Sequence, residues 1–143
     1  MKILLTITAF LSFICLASAK TGWLDNFDRA KAQAKAENKR ILLDFTGSDW
    51  CPTCKKLSKE VFSQKEFQAY AAKNLVLMEV DFPQFRLPES VRNQNEQLKA
   101  KYKVEVLPTL VVLDASGRKL KQFNYDEGSG AQAFIRTLDR VRK

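Results

Sequence analysis

Residues 41–57 read Ile41-Leu-Leu-Asp-Phe-Thr-Gly-Ser-Asp-Trp-Cys-Pro-Thr-Cys-Lys-Lys-Leu57. The run is apolar up to Phe45, breaks at Gly47 and then delivers two cysteines, Cys51 and Cys54. This order is typical of a buried strand, a short loop and a helix. Cys51 then lies in the first helical turn, where free backbone N–H groups and the helix dipole stabilise a thiolate. Because the thiolate is the nucleophile in disulfide exchange, the pair predicts redox chemistry.

Other roles for the pair remain open. A disulfide could simply clip the helix, although closing so short a loop removes little entropy from the unfolded chain. The reduced pair could instead carry Cu(I), a soft ion that two thiolates suit. A zinc site normally needs four ligands, and this chain has no histidine. A redox-inactive binding module is the remaining alternative.

The N-terminus has the pattern of a secretory signal. Lys2 precedes an apolar run, residues 3–16, and Ala17-Ser-Ala19 fits the small-x-small cleavage pattern. A transmembrane helix needs about 20 apolar residues, more than this run offers. We therefore predict a signal peptide over residues 1–19, cleaved before Lys20, and a periplasmic or secreted protein with no stable membrane insertion after cleavage.

Composition predicts one domain over residues 20–143. The chain is 45% hydrophobic with ten phenylalanines, which is ample for one core. The net charge of +8 is carried by lysines and arginines spread along the chain. That spread is typical of solvated faces rather than of a nucleic-acid surface, so we expect no nucleic-acid partner. Nothing in the sequence indicates a cofactor.

Hydrophobic periodicity predicts alternating helices and strands, followed by a hairpin and a closing helix. A capping-box pattern, Ser63 to Glu66, predicts that the helix after the cysteines breaks near Ser63 and restarts. This order argues for an α/β sandwich with a mixed sheet. The predicted helices cover residues 23–38, 54–72 with that break, 91–102 and 134–141, and the predicted strands cover residues 41–45, 75–80, 109–113 and 119–124.

Two motifs resemble the thioredoxin superfamily. They are Trp50-Cys-Pro-Thr-Cys54 after an acid-bearing strand, and Leu107-Pro-Thr109 ahead of a later strand. Within that superfamily the chain is most similar to exported thioredoxin-like proteins and to the C-terminal domain of the bacterial thiol:disulfide interchange protein. The resemblance implies a thioredoxin-like three-layer sandwich, in which a central mixed sheet is flanked by helices.

The resemblance also implies roles for individual residues. Cys51 would be the exposed attacking thiol, and Cys54 the buried resolving thiol. Pro108 would be a cis-proline facing the pair, with Leu107 offering backbone hydrogen bonds to an extended substrate. Asp44 matches the buried acid that helps to deprotonate the resolving thiol, and burial should raise its pKa.

Residues next to the pair complete the predicted site. Trp50, Pro52 and Thr53 are assigned, with Leu107, to substrate binding. The proline-punctuated segment Phe82–Pro88 is a candidate binding rim or a plain connector.

The chain departs from thioredoxins in three ways. The loop between Asp44 and Trp50 is one residue longer. The lysine that accompanies the buried acid in thioredoxins is replaced near Leu77. The dipeptide between the cysteines is Pro52-Thr53, as in thioredoxin-like reductases of cytochrome c maturation.

These observations predict an exported thiol-disulfide oxidoreductase that reduces or exchanges protein disulfides. Strong oxidants of the superfamily usually carry a histidine inside the motif, which favours the reducing direction for this chain. A reductase in an oxidising compartment needs an electron donor, for which we expect a membrane thiol carrier. Substrate proteins with thiols or disulfides are the other expected partners.

Overall fold

Four strands form one mixed sheet at the centre of the molecule. The computed structural model describes residues 20–141. The predicted signal peptide, residues 1–19, lies outside the described residues, so it stays a prediction. The strands are β1 (Arg40–Thr46), β2 (Leu75–Asp81), β3 (Thr109–Leu113) and β4 (Lys119–Asn124), in the spatial order β2-β1-β3-β4.

The strand directions confirm the predicted mixed sheet. Strand β1 runs parallel to β2 and antiparallel to β3, and β4 pairs antiparallel with β3. All seven residues of β1 are buried, as the near-continuous apolar run predicted. The carboxyl end of β1 therefore emerges from the middle of the core, and the residues that follow it begin at that end of the sheet.

Helices cover both faces of the sheet, which confirms the predicted three-layer sandwich. Helices α1 and α4 contribute to one apolar cluster, and α2, α3 and α5 contribute to another. Successive side chains of β1 alternate between the two clusters, since neighbouring residues of a strand point to opposite faces. Within residues 20–141 no helix is long and apolar enough to cross a membrane. The helices are α1 (Phe27–Glu37), α2 (Pro52–Leu57), α3 (Lys65–Asn74), α4 (Glu89–Tyr102) and α5 (Gly130–Asp139).

The prediction that the first helix starts at Trp23 was wrong. Helix α1 begins at Phe27, because the Asn26 side chain caps it by accepting a 2.9 Å hydrogen bond from the Arg29 N–H.

The residues ahead of α1 extend along the outer edge of β2 instead. Leu24 forms a parallel bridge with Met78. The Leu24 N–H donates to the Leu77 carbonyl at 2.9 Å, and the Glu79 N–H donates to the Leu24 carbonyl at 2.9 Å. An edge strand offers unpaired backbone groups, and this segment satisfies some of them.

The predicted break near Ser63 is confirmed, but the capping box is wrong. A π-helical segment, Ser58–Phe62, follows α2 directly. The Ser63 hydroxyl donates to the Lys59 carbonyl at 2.7 Å, so it closes the preceding turn and does not cap the next helix. Gln64 precedes α3 and makes no side-chain cap.

Candidate active site

The cysteine pair follows a tight turn at the carboxyl end of β1. The Gly47 carbonyl accepts hydrogen bonds from the N–H groups of Trp50 at 3.2 Å and Cys51 at 2.9 Å. The Trp50 indole folds over Gly47 so closely that a Cβ there would lie 2.5 Å from the ring. Only glycine allows that approach, and the turn sets Cys51 at the start of α2.

Cys51 is the N-cap residue of α2. Its Sγ accepts a hydrogen bond from the Cys54 N–H at 3.2 Å. Pro52 takes the first helical position, where its missing N–H leaves no intrahelical bond unmade. Cys51 and Cys54 are joined by a disulfide. A Cys51 thiolate would accept the same N–H, and such a bond favours the charged form of a thiol.

Exposure does not distinguish the two cysteines in this oxidised form. Cys51 is 5% exposed and Cys54 is 4% exposed. The expectation of an exposed Cys51 is therefore wrong for the disulfide state, because the Cys51 sulfur is turned towards the first turn of α2. The attacking and resolving roles of the two residues stay predictions.

The buried acid that the resemblance implied is present. The Asp44 carboxyl lies on β1 and is almost fully shielded from solvent. Burial raises its pKa to about 6, against the lowering effect of the Lys20 ammonium, and the nearby carboxylates of Glu79 and Asp81 add to the increase. This confirms the expected direction of the pKa change, while proton transfer with Cys54 stays a prediction.

A lysine from the N-terminal segment pairs with this acid. Lys20 Nζ lies 3.2 Å from Asp44 Oδ2 and 2.8 Å from Glu79 Oε1. Asp44 and Glu79 are register partners on β1 and β2. The same ammonium lies 4.9 Å from the ring centre of Trp23 and 5.3 Å from that of Phe62. Although burial lowers the pKa of Lys20, the two carboxylates raise it above its ordinary value, so Lys20 is a cation at neutral pH.

A cavity of about 410 Å³ lies beside Cys54, and Lys20 is the member of the charge cluster that reaches it. Lys20 and Cys54 both line it, together with hydroxyl and lysine side chains, and it is large enough to hold water. Its lining residues are Lys20, Thr46, Ser48, Cys54, Lys55, Ser58, Lys59 and Ser63.

The sequence analysis missed Lys20 and Glu79 as members of the site. A signal was present for Glu79, because it stands in an apolar strand that neighbours the strand of Asp44. Two acids on adjacent buried strands require a cation, since burying unpaired charge is costly. Nothing in the local sequence connects Lys20 with them, because its position depends on how the N-terminal segment runs along β2.

Pro108 lies at the same end of the sheet as the cysteine pair. The Leu107–Pro108 peptide bond is cis, as the resemblance implied. Thr109 pairs with Phe45 at the carboxyl end of β1, which brings the start of β3 to the edge where the pair lies. Asn124 donates a hydrogen bond to the Pro108 carbonyl at 3.2 Å. The substrate-binding roles of Pro108 and Leu107 stay predictions.

The segment Phe82–Pro88 is fastened to the turn that carries Trp50. The Trp50 indole N–H donates to the Phe82 carbonyl at 2.7 Å. The Asp49 carboxylate accepts from the Gln84 N–H, at 3.1 and 3.0 Å for its two oxygens. These bonds place the segment beside the motif, where a binding rim would be.

Large exposed apolar side chains flank the site. Trp50 is 45% exposed, Phe85 is 56% exposed and Val106 is 58% exposed. Each belongs to a segment at the same end of the sheet as the pair: the β1–α2 turn, the Phe82–Pro88 segment and the residues ahead of Pro108.

Thr53 of the motif and the nearby Lys56 contact a neighbouring loop. The Thr53 hydroxyl donates to Glu127 Oε1 at 2.8 Å, and Lys56 Nζ pairs with Glu127 Oε2 at 2.8 Å. Lys56 is therefore half of a surface ion pair. Pro52 is exposed beside Thr53, and the substrate roles of both stay predictions.

The two sulfurs are the soft ligands of the site, and Cu(I) is the metal that such a pair suits. Within residues 20–141 no group of three or more histidine, cysteine, aspartate or glutamate side chains could hold a metal ion.

Comparison with known proteins agrees with this geometry. The family model described as a thioredoxin-like domain matches residues 27–139. The disulfide bond reductase DsbH of Chlamydia pneumoniae is 40% identical over 129 residues, which cover 90% of this chain and 76% of that protein. A solved structure titled DsbH oxidoreductase superposes with a TM-score of 0.79 and 34% identity, covering 95% of this chain and 94% of that one.

A third relative matches over part of its own length. The thiol:disulfide interchange protein DsbD of Actinobacillus pleuropneumoniae is 28% identical over 106 residues, which cover 74% of this chain and 17% of that protein. The similarity to one part of a larger interchange protein agrees with the resemblance drawn from the motifs.

Proposed function

The chain belongs to the thioredoxin-like domain family, and we propose on that premise that it is an exported reductase of protein disulfides. It is a thiol-disulfide oxidoreductase, and the observation that carries this function is the Cys51–Cys54 disulfide at the start of α2. The relative that matches 90% of the chain is named a disulfide bond reductase, which supports the reducing direction. The absence of histidine from the sequence supports it further.

The proposed reaction passes two electrons from the cysteine pair to the substrate. The Cys51 thiolate attacks one sulfur of a substrate disulfide, and the other substrate sulfur leaves as a thiolate. A mixed disulfide then joins Cys51 to the substrate. Cys54 loses its proton and attacks Cys51 Sγ, which breaks the mixed disulfide and releases the second substrate thiolate. The pair ends as the disulfide seen in the structure.

Asp44 is the proposed acceptor of the Cys54 proton. A carboxyl with a pKa of about 6 is mostly ionised at pH 7, so it can accept a proton and later release it. A carboxyl with an ordinary pKa would hold the proton much less readily. The raised pKa therefore suits the proposed role.

The proposed setting is the periplasm or the outside of the cell. The support is the signal-peptide pattern of residues 1–19 and the apolar run that is too short for a membrane anchor. Each turnover leaves the pair oxidised, so the proposal requires a donor of electrons, for which we propose a membrane thiol carrier. Protein disulfides are the proposed substrates.

The reduction potential of the pair tests the direction. The chain starting at Lys20 is equilibrated with glutathione and dithiothreitol buffers, and the oxidised fraction is measured. A value near −270 mV supports an electron-donating reductase, whereas a value near −120 mV makes the protein an oxidant and overturns the proposed direction.

Two cysteine variants test the roles of the sulfurs. Cys51→Ser should abolish exchange with a protein disulfide, because the attacking thiolate is gone. Cys54→Ser should still react but accumulate a mixed disulfide with the substrate, which non-reducing electrophoresis detects. If Cys51→Ser exchanges disulfides as fast as the unmodified protein, the assignment of the nucleophile fails.

A further inference from the structure

Lys20 reaches the active site from outside the sheet, and the N-terminal segment holds it there. Leu24 is hydrogen-bonded to the edge of β2 through both of its backbone groups. The Trp23 ring packs on Phe62 with ring centres 4.8 Å apart. Together these contacts fix the chain just after Lys20, so the Lys20 side chain enters the site from an anchored position.

The charged groups around Asp44 determine how Lys20 affects the ionisation of the Asp44 carboxyl. Glu79 and Asp81 on β2 are acidic, and both favour the neutral form of Asp44, as burial does. Lys20 favours the ionised form, at 3.2 Å from Asp44 Oδ2. Lys55 and Lys59, on α2 and the π-helical segment, line the cavity that Cys54 also lines. Without Lys20, the buried carboxyl would face acidic neighbours with no directly bonded cation.

We propose that Lys20 is a positioning residue of the exchange reaction, which keeps the buried Asp44 carboxyl ionised and extends from it to the cavity that Cys54 lines. The inference rests on the proposed function. Lys20 lines that cavity and contacts Asp44, so it stands between the cavity and the buried carboxyl. Asp44 Oδ1 has no hydrogen-bond partner among the described residues and is free to take a proton.

In the step assigned to this cluster, the Cys54 S–H proton passes to the Asp44 carboxylate. The Cys54 sulfur then bonds to Cys51 Sγ, the bond between Cys51 and the substrate breaks, and its electron pair leaves on the substrate thiolate. Lys20 stays protonated throughout. It makes no covalent bond and acts through Asp44.

The test compares Lys20→Met and Lys20→Arg with the unmodified protein. Reduced protein is mixed with saturating oxidised glutathione, and the resolution of the mixed disulfide is followed by stopped flow from pH 5 to 9. Removing a cation this close should move the acid limb of the rate upwards by about one pH unit or more. The rate at pH 6 should fall about fivefold or more, and it should recover at pH 9. Lys20→Arg should stay close to the unmodified protein.

Lys31→Met is the matched control. Lys31 also pairs with a carboxylate, Asp28, at 2.9 Å, and its Nζ lies 4.8 Å from the ring centre of Phe27. It belongs to α1 and does not line the cavity. Its variant should show the unmodified pH profile. Equal profiles for Lys20→Met and Lys31→Met would overturn the proposal.

A second readout separates this inference from the proposed function. The Asp44 carboxyl is titrated directly by carbon-13 NMR in the unmodified protein and in Lys20→Met, which needs no turnover. We expect its pKa to rise in the variant. If the pKa rises but the acid limb of the resolution rate does not move, Lys20 does not act in the reaction and the inference fails. If no variant exchanges any disulfide, the proposed function fails instead.

Discussion

At the scale of single residues, Asp44 opposes the stability of the fold at neutral pH. Its pKa rises from 3.8 to about 6 on folding, chiefly because burial disfavours the charged form. The protonated form therefore stabilises the folded state fully below about pH 4, and this contribution is lost as the pH rises through about 6. A rise of that size corresponds to about 3 kcal/mol.

The variant Asp44→Asn should consequently be more stable than the unmodified protein at pH 8, by about 1 to 3 kcal/mol. The amide mimics the protonated acid, and Lys20 keeps Glu79 as its partner. Urea unfolding of the oxidised proteins at pH 4 and pH 8 measures the difference, which should shrink at pH 4. No gain at pH 8 would contradict the argument.

Asp114→Asn is a control with the opposite sign. Hydrogen bonds from Ser116 and Arg118 hold the pKa of the Asp114 carboxyl well below its usual range. Ionised Asp114 therefore stabilises the fold above its unfolded pKa, and its loss should destabilise the protein at pH 8. A gain in stability from both variants would point to a general charge effect.

Of the charged residues that cluster at the site, the sequence predicted only Asp44. A carboxyl in an apolar strand is visible in the sequence, and the resemblance gave it a role. Lys20 lies 24 positions away and pairs with Asp44 only because the intervening helix α1 starts late and the segment ahead of it follows β2. The hydrophobic periodicity of the residues ahead of α1 does not predict this path along β2.

At the scale of elements, Arg40 ties the closing helix α5 to the first residue of β1. Its guanidinium donates to the carbonyls of Leu138 at 2.8 Å and Val141 at 2.9 Å, and to the Tyr70 hydroxyl at 3.0 Å. Helices end with unpaired carbonyls, and this buried side chain donates to one in the last turn of α5, Leu138, and to one just beyond it, Val141. The Leu138 carbonyl also accepts from the Val141 N–H at 3.1 Å.

Arg40→Met should lower the free energy of unfolding by about 1 to 3 kcal/mol, because it leaves the Val141 carbonyl without its Arg40 donor. Urea unfolding gives the loss, and faster amide exchange in α5 would locate it. Arg118→Met is the control, since its ion pair with Asp114 is exposed and should cost about 1 kcal/mol or less. Equal losses in the free energy of unfolding would mean that Arg40 contributes no more than an exposed ion pair does.

The segment Phe82–Pro88 makes a separate prediction about substrates. Phe85→Ser removes an exposed apolar side chain next to the motif and should change stability by no more than about 0.5 kcal/mol. If the segment is a substrate rim, KM for a protein disulfide should rise about fivefold. The rate with oxidised glutathione, which is too small to span the rim, should not change. An unchanged KM for the protein substrate would make the segment a plain connector.

Element boundaries were harder to predict than element types. Each strand appears in the structure, because β-branched and apolar runs between turn residues are a strong signal. The start of α1 was missed because Trp23 and Leu24 fit a helical period and an edge-strand position equally well. The Ser63 pattern was misassigned because its hydroxyl had a nearer acceptor, the Lys59 carbonyl.

At the scale of the whole molecule, the pairing of the strands brings the residues of the candidate active site together. The register sets Asp44 beside Glu79, and the antiparallel strand β3 returns Pro108 to the same edge. The sandwich could be predicted because alternating helices and strands have few arrangements. The charge cluster could not be predicted, because it depends on three features together: the β1–β2 register, the crossover between these strands and the path of the N-terminal segment.

The predicted cleavage after Ala19 makes Lys20 the first residue of the mature chain. Cleavage one residue later would remove Lys20 and should change the pH dependence of mixed-disulfide resolution. Two chains, starting at Lys20 and at Thr21 behind the same initiator methionine, can be compared in the glutathione assay. The hydrogen bonds of Leu24 to β2 are kept in both, so both should fold with similar stability in urea. The shorter chain should show the raised acid limb expected of Lys20→Met. Identical pH profiles for the two chains would mean that the N-terminal segment contributes only to the fold.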